Sequence, residues 1–336
     1  MVELGVENGE EIGRAFDRPV LALRRLVEAG ALDFPFPGEG DTRRRWSLLA
    51  AHGRRDLSLA RLVEGHTDAA AILHEAGRKP VPGAVYGVWA SRAGGEGAVS
   101  DDSRGVLTGT VPMCSGAATV DRALLVARPG SAQDATRDVL LDIAVDPATA
   151  RPVAGSWQAA GMADSETLDV VLRDLPWSEE SVVAAPGFYT ERPGFWLGGA
   201  GVGAVWFGGV LGLWDSVVAN LRTSRADPHK LAQLGALRLA VEQADAVLTR
   251  AVDEIDAATA PAARALARRC RCAAESAARQ ALDLSPRITG PVAFARDAQL
   301  SRRLADLQVY VRQHSTEREL ADWGEQALDG DSGLGS

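Results

Sequence analysis

His314, near the C-terminal end, is the side chain best placed in this sequence to move a proton near neutral pH. The run Thr316-Glu317-Arg318-Glu319 reads as a capping box, which starts a helix just after the histidine. The positive end of that helix favours a neutral imidazole. His314 also extends the apolar spacing Leu304, Leu307, Val311, so a packed or interface histidine is the competing reading. His66 lies on an apolar helical face and reads as a core or cavity-lining residue. Cys270 and Cys272 are two apart on a helical stretch, so they point apart and make a poor metal pair. With Cys114 they read as idle thiols in a reducing cytoplasm. Gly199-Ala200-Gly201-Val202-Gly203 has no strand before it and no acidic residue about twenty positions on, which excludes a dinucleotide turn. No HExxH, GxSxG or phosphate-loop pattern occurs.

The elements that must hold such residues follow from composition and period. The chain has 336 residues and a net charge of −9. No basic stripe interleaved with aromatics appears, which argues against nucleic acid. The N-terminal stretch is acidic, without the apolar run of a secretion signal. Gly194–Trp214 is uncharged over 21 residues, eight of them glycine. The length suits a membrane span, but the glycines and the absence of a cationic flank favour a buried helix of a soluble bundle, with no membrane partner. Glycine costs roughly 1 kcal/mol per helical site, so eight of them imply close approach by another backbone or a flat ligand.

The expected order is helical, β, helical. Residues 10–29 predict a short helix ended by Gly30, and 42–73 a helical region with Leu59, Leu62, His66, Ala69 and Leu73 on its buried face. Five β-prone runs follow, at 84–91, 105–113, 122–129, 138–146 and 168–175, separated by Gly, Pro, Asp and Ser. They predict an antiparallel barrel or sandwich. The glycine-rich helix, a stripe over 234–255, an alanine-rich helix over 262–284 and a helix from Asp297 predict a four-helix bundle. The expected fold class is α+β, with an N-terminal α-helical domain over 1–82, a β-domain over 83–186, the bundle over 187–328 and a disordered tail over 329–336.

In residues 105–128 two strand-like runs flank the turn Cys114-Ser115-Gly116-Ala117-Ala118, and Arg128 closes the second. Trp157 to Met162, then Ser165 and Leu168–Pro176, form a W…GM…S…V…D…P stretch, and Arg222 and Gln233 lie eleven apart. With the domain order, these residues resemble the acyl-CoA dehydrogenase flavoprotein family over roughly residues 42–325. The resemblance implies an FAD-dependent oxidoreductase acting on the CH–CH bond of an acyl thioester, carried on CoA or a carrier protein. Such an enzyme needs a flavin seat, donors to the thioester oxygen and a carboxylate base.

The resemblance then assigns residues. Tyr86–Val88 matches the entry strand to the flavin. Gly94 matches the glycine that lets the backbone approach the pyrophosphate. Met113 stands where the family has an aromatic wall, and Ser115 keeps a hydroxyl able to donate to the flavin. Trp89 replaces a threonine and Gly95 a serine. Arg222, with Gln233, would reach the flavin of a neighbouring subunit, which implies a homo-oligomer or a homologous partner chain. Arg225 replaces an aromatic, and Gly290 is what remains of a glycine turn beside the adenine. Arg312 occupies the usual base position, where guanidinium cannot accept a proton; His314 is the nearest substitute. Two alternatives follow from that departure: a non-catalytic subunit of a hetero-oligomeric complex, and a flavin-dependent monooxygenase of the same fold.

Overall fold

The computed structural model describes residues 18–130, 137–224 and 226–328. The expected helical start at residues 10–17, the tail over 329–336 and Arg225 lie outside them. Helix α1 (Pro19–Glu28) opens on a proline, whose missing N–H costs nothing in a first turn. Its Arg24 holds both carboxylate oxygens of Asp121, tying the helix to the β-region. The helical stretch expected over 42–73 is two helices, α2 (Thr42–Arg55) and α3 (Leu57–Glu75). Asp56 breaks them: it is extended, and its carboxylate accepts the Leu59 N–H to cap α3.

The expected barrel is instead one open, mixed sheet of seven strands. Strands β1 (Tyr86–Trp89) and β2 (Gly97–Asp101) both lie parallel to β4 (Arg122–Pro129), β1 along its first half and β2 along its last residues. On the far edge of β4 runs β5 (Val139–Ala144), antiparallel. From β2 the sheet continues antiparallel through β3 (Val106–Cys114) and β7 (Leu168–Pro176) to β6 (Ala150–Pro152). Among the described residues β5 and β6 do not pair, so no closure occurs. The cause lies between β1 and β2. Gly94, Gly95 and Gly97 all take positive φ, and this bend returns the chain to the same edge of β4.

The helical half consists of α4 (Phe188–Glu191), α5 (Gly194–Thr223), α6 (Pro228–Ile255), α7 (Ala260–Arg296), α8 (Ala298–Tyr310) and α9 (Thr316–Leu328). Helix α5 is its axle, packed on α7, α2, α8, α3 and α6. The glycines explain how. A methyl group on Gly208 would strike the Ala50 carbonyl, one on Gly53 the Val205 carbonyl and one on Gly212 the Arg54 carbonyl. The α2 and α5 backbones therefore touch, and no larger residue fits. Two thirds of the most apolar stretch of α5 is buried inside the fold. Helix α7 runs past the expected end at 284 and kinks at Gly290, whose φ is 77°.

The sheet and bundle meet at α8. Gly161 packs where any side chain would strike the Ala305 carbonyl. The next residue, Met162, donates its N–H to the Asp306 carboxylate at 2.5 Å. Burial pushes the Asp306 carboxyl up to about 6.

Candidate functional site

Two places carry the residues singled out above, and α3 lies against both. The first is the turn after β3. Trp89 is almost fully buried, and its indole N–H donates to the Ser115 carbonyl at 3.2 Å. It therefore neither covers nor stacks on the exposed side of the turn; it braces the turn from beneath. Leu62 of α3 packs against Gly116 on the same inner side. Met113 is 54 % exposed and takes φ of 57°, a conformation uncommon outside glycine. Its N–H is held by Asp169 at 3.0 Å, which keeps the side chain outward.

The Ser115 hydroxyl is the start of a chain. It lies 3.0 Å from the Thr167 hydroxyl, which lies 2.7 Å from that of Ser165, and Ser165 donates to the Met162 carbonyl. Each hydroxyl has one proton. Ser165 gives its proton to a carbonyl, so Thr167 must donate to Ser165 and Ser115 to Thr167. Ser115 thus offers lone pairs, not a proton, to anything resting on the turn, which alters the donor role expected for it.

The other expected cofactor residues scatter. Tyr86 and Val88 point to the opposite face of the sheet, towards α3, as strand alternation requires. The Tyr86 hydroxyl is taken by the Val81 N–H and lies 3.3 Å from Asp142. Of β1, it is Gly87 and the Trp89 indole that come near the Ser115 carbonyl, not Tyr86 or Val88. Gly94 is exposed at a positive-φ bend with open space above it. Beside this bend lies a cleft of about 570 Å³, lined among others by Arg92, Arg128 and Arg137 against Asp138 and Glu191. Arg222 is exposed at the end of α5, with neither hydrogen bond nor ion pair among the described residues. Gln233 is half-buried on α6, which packs on α7, α5 and α2 and not on the sheet. Within one copy these two residues do not meet Ser115.

The exposed Met113, the Ser115 lone pairs, the open bend at Gly94 and the neighbouring arginines fit a flat ring with a phosphate-bearing tail. Ser115, Met113 and Gly94 are the residues of this chain that could hold such a group.

The second place is a polar cluster inside the helices. His314 follows a single 3₁₀ turn over Val311–Gln313 and is buried, whereas Arg312 within that turn is exposed. Helix α9 starts just after His314, as expected, but Thr316 is its first residue and not its cap: the Thr316 hydroxyl turns to His314 and the Glu319 N–H donates to the Ser315 carbonyl. The Nδ1 of His314 lies 3.2 Å from the Glu275 carboxylate and 2.9 Å from the Thr316 hydroxyl. A carboxylate only accepts, so it keeps the imidazole proton on Nδ1 and leaves Nε2 bare. Nε2 has no partner. Burial, then the positive charge of Arg271, holds His314 below its usual pKa and therefore neutral at pH 7.

Around it stand residues that the sequence pattern did not single out. The Trp206 ring lies 5.8 Å from that of His314 and 6.1 Å from that of Tyr310, and the Arg271 guanidinium is 5.8 Å from the Trp206 ring. Arg61 and Glu64 of α3 form a largely buried ion pair beside Tyr310. Burial drives the Tyr310 phenol far above its ordinary range. The signal that might have found these residues is a charge or hydroxyl inside an apolar register, as Arg271 follows Cys270 and Tyr310 precedes Val311. His66 belongs to neither place: its Nδ1 accepts the Tyr86 N–H at 3.1 Å, and burial lowers it to about 4. Among the described residues no group of acids, histidines and cysteines could hold a metal ion.

This architecture is consistent with the acyl-CoA dehydrogenase-like fold. It is shared with dibenzothiophene monooxygenase TdsC from Paenibacillus sp. A11-2, with a TM-score of 0.77 and 19 % identity over 93 % of this chain and 89 % of that one. Methanesulfinate monooxygenase MsuC from Pseudomonas fluorescens matches with a TM-score of 0.70 and 19 % identity, over 93 % and 91 %. XiaF from Streptomyces sp., solved with FADH2 and glycerol, matches with 0.70 and 21 %, over 96 % and 90 %. At these identities the likeness establishes the fold. No protein-family model and no curated protein matches the sequence.

Proposed function

We propose that this chain is a flavin-dependent monooxygenase. One observation carries the reading. The position at which the resemblance expects a carboxylate base holds an exposed arginine, Arg312, while a neutral imidazole with a bare Nε2 lies buried two residues further on. Removing a proton alpha to a thioester needs a basic group at the substrate, and guanidinium cannot serve. A monooxygenase has no such requirement. Reduced flavin, when bound, supplies the two electrons with which dioxygen delivers one atom to the substrate and one to water.

The chain's own residues then have these tasks. His314 Nε2 would take up a proton released at the substrate, and Glu275 holds the ring in the tautomer that allows it. Trp206 and Tyr310 close the inner wall, keeping bulk water out. Ser115, with its proton given to Thr167, would help to hold a bound flavin through its free lone pairs. Arg222 and Gln233 complete the seat of a neighbouring copy, so the working form is a homo-oligomer. TdsC and MsuC, which share the fold, are monooxygenases, and TdsC has been solved with FMN and XiaF with FADH2, which supports this reading.

The test has two stages. Purified protein is titrated with FMN and with FAD, which reads both uptake and preference. Chemically reduced flavin complex is then mixed with oxygenated buffer, and separately the oxidised complex is mixed anaerobically with an acyl-CoA. The expected result is flavin uptake, altered oxygen reactivity of the bound reduced flavin, and no bleaching by acyl-CoA. Bleaching by acyl-CoA would replace this reading with thioester dehydrogenation. No uptake of either flavin would leave the non-catalytic subunit.

A further inference from the structure

We infer that the cluster around Trp206 takes a small organic carboxylate, held by Arg271. The inference deepens the function proposed above and rests on it only in treating this cluster as the substrate end of the site.

Five polar atoms converge here from five segments without a hydrogen-bond partner: Arg61 Nε from α3, Trp206 Nε1 from α5, Arg271 Nε from α7, Tyr310 Oη from α8 and His314 Nε2. Trp206, Tyr310 and His314 are each more than nine-tenths buried. The Tyr310 hydroxyl sits beside the Arg61 guanidinium without a hydrogen bond of proper geometry. An unmet buried donor costs about 1–3 kcal/mol, and native interiors leave few of them. Several around one indole ring mark a place that a ligand completes.

The charge count gives the ligand's sign. Arg61 is paired with Glu64, Arg192 with Glu75, Arg268 with Glu319, and Glu275 with Arg279. Arg45 donates to the Pro35 carbonyl, and Arg303 donates to two carbonyls and the Ser216 hydroxyl. Arg271 alone among these interior arginines has neither a hydrogen bond nor an ion pair among the described residues; its only close partner is the face of Trp206. The half-buried Arg271 guanidinium therefore holds no acid directly, although Glu319 and Glu275 lie near enough to favour its charge, and an anion in the cluster would be its first direct partner.

The donor set gives the ligand's class. Arg271 offers a planar fork suited to a carboxylate, and Trp206 and Tyr310 add one neutral donor each. An arginine fork also takes phosphate, but the two further donors, Trp206 Nε1 and Tyr310 Oη, are neutral and few, which suits the two oxygens of a carboxylate better than a three-oxygen head. The aromatic walls, Trp206 and Tyr310, suit an apolar body behind the charge.

The test uses the purified full chain, with and without bound flavin, and two matched probe pairs: benzoate with benzamide, and hexanoate with hexanamide. Binding is read by calorimetry. In at least one pair the carboxylate is expected to bind roughly tenfold tighter than its amide. Arg271→Met removes that preference, Arg271→Lys retains part of it, and Arg250→Met, on the exposed flank of α6, leaves it intact. Equal binding of acid and amide, binding of neither, or an unchanged preference in Arg271→Met overturns the inference. A chain that takes up no flavin yet prefers carboxylates in an Arg271-dependent way keeps this inference and loses the monooxygenase reading. Flavin uptake without carboxylate preference does the reverse.

Discussion

The α2–α5 crossing and the Trp206 cluster share one helix and are built on opposite terms. On one side of α5, Gly208 and Gly212 let two backbones touch, leaving no space to adjust. On another, Trp206 sits among donors with nothing to donate to. The contrast shows where stability is made and where it is given up. The rigid crossing over-determines the position of α5, and that surplus tolerates unmet polar atoms a few residues away. Backbone contact and unmet polar groups thus occupy different faces of the same element.

Four experiments press on this contrast. The largest effect is expected from Gly208→Val, which forces a side chain into the Ala50 carbonyl. No flexible group is there to yield, so a loss of several kcal/mol or failure to fold is expected, read by urea denaturation. A loss below about 1 kcal/mol would mean the crossing is soft and the contrast false. Next is Glu64→Gln, which strands the Arg61 charge beside the cluster. Removing one partner of a buried pair costs about 3–5 kcal/mol. An unchanged denaturation midpoint would show that water reaches Arg61 and that the cluster is not dry.

Asp306→Asn comes third and has a defined pH dependence. Burial raises the Asp306 pKa from 3.8 to about 6, so the folded state prefers the protonated form. Its contribution is fully present below about pH 4 and is lost as pH rises through about 6. Asparagine keeps the acceptor for the Met162 N–H without the charge. The variant is expected to be more stable at pH 7 by about 3 kcal/mol and to lose the advantage towards pH 4. The comparison must be made against wild type at each pH, because His52 and His66 slope the other way. Burial lowers both to about 4, so their contribution is present above about pH 6.5 and lost as pH falls towards 4. A Asp306→Asn difference that does not change with pH would show that this carboxyl is ionised throughout.

The smallest effect is the most discriminating. Tyr310→Phe deletes an unpartnered hydroxyl, so the ligand-free protein should gain up to about 1 kcal/mol while carboxylate affinity falls. A loss of stability would reveal a structural partner for that hydroxyl and remove it from the site.

Much of the architecture was legible before any coordinates. Period 3.6 marks Leu59–Leu73 and Leu300–Val311 as helical faces because each buries one stripe. The glycine content of α5 foretold backbone contact, and of the two causes considered a neighbouring helix is the one found. Closure of the sheet was not legible, since it depends on which strand receives β1 and β2. That choice is made by a bend at Gly94–Gly97, not by strand composition. Strand β6 was missed because three residues ending in Pro152 carry no alternation. The site was legible in pieces. Ser115 and His314 stand out by residue type, but the direction of the Ser115 proton depends on Thr167 and Ser165, half a domain away in sequence. Arg61 with Glu64 looks like an ordinary surface pair at i,i+3, and only packing shows it to be interior.

The touching backbones of α2 and α5 have a consequence for how related proteins would differ. Gly53, Gly208 and Gly212 answer to one another across two helices, so change at any one is coupled to the rest. Around the Trp206 cluster the unmet atoms of Trp206, Tyr310 and Arg271 answer to no other residue, so change there is less constrained. In a lineage of such chains the small residues would persist as the recognisable signature, while substrate choice drifted around them.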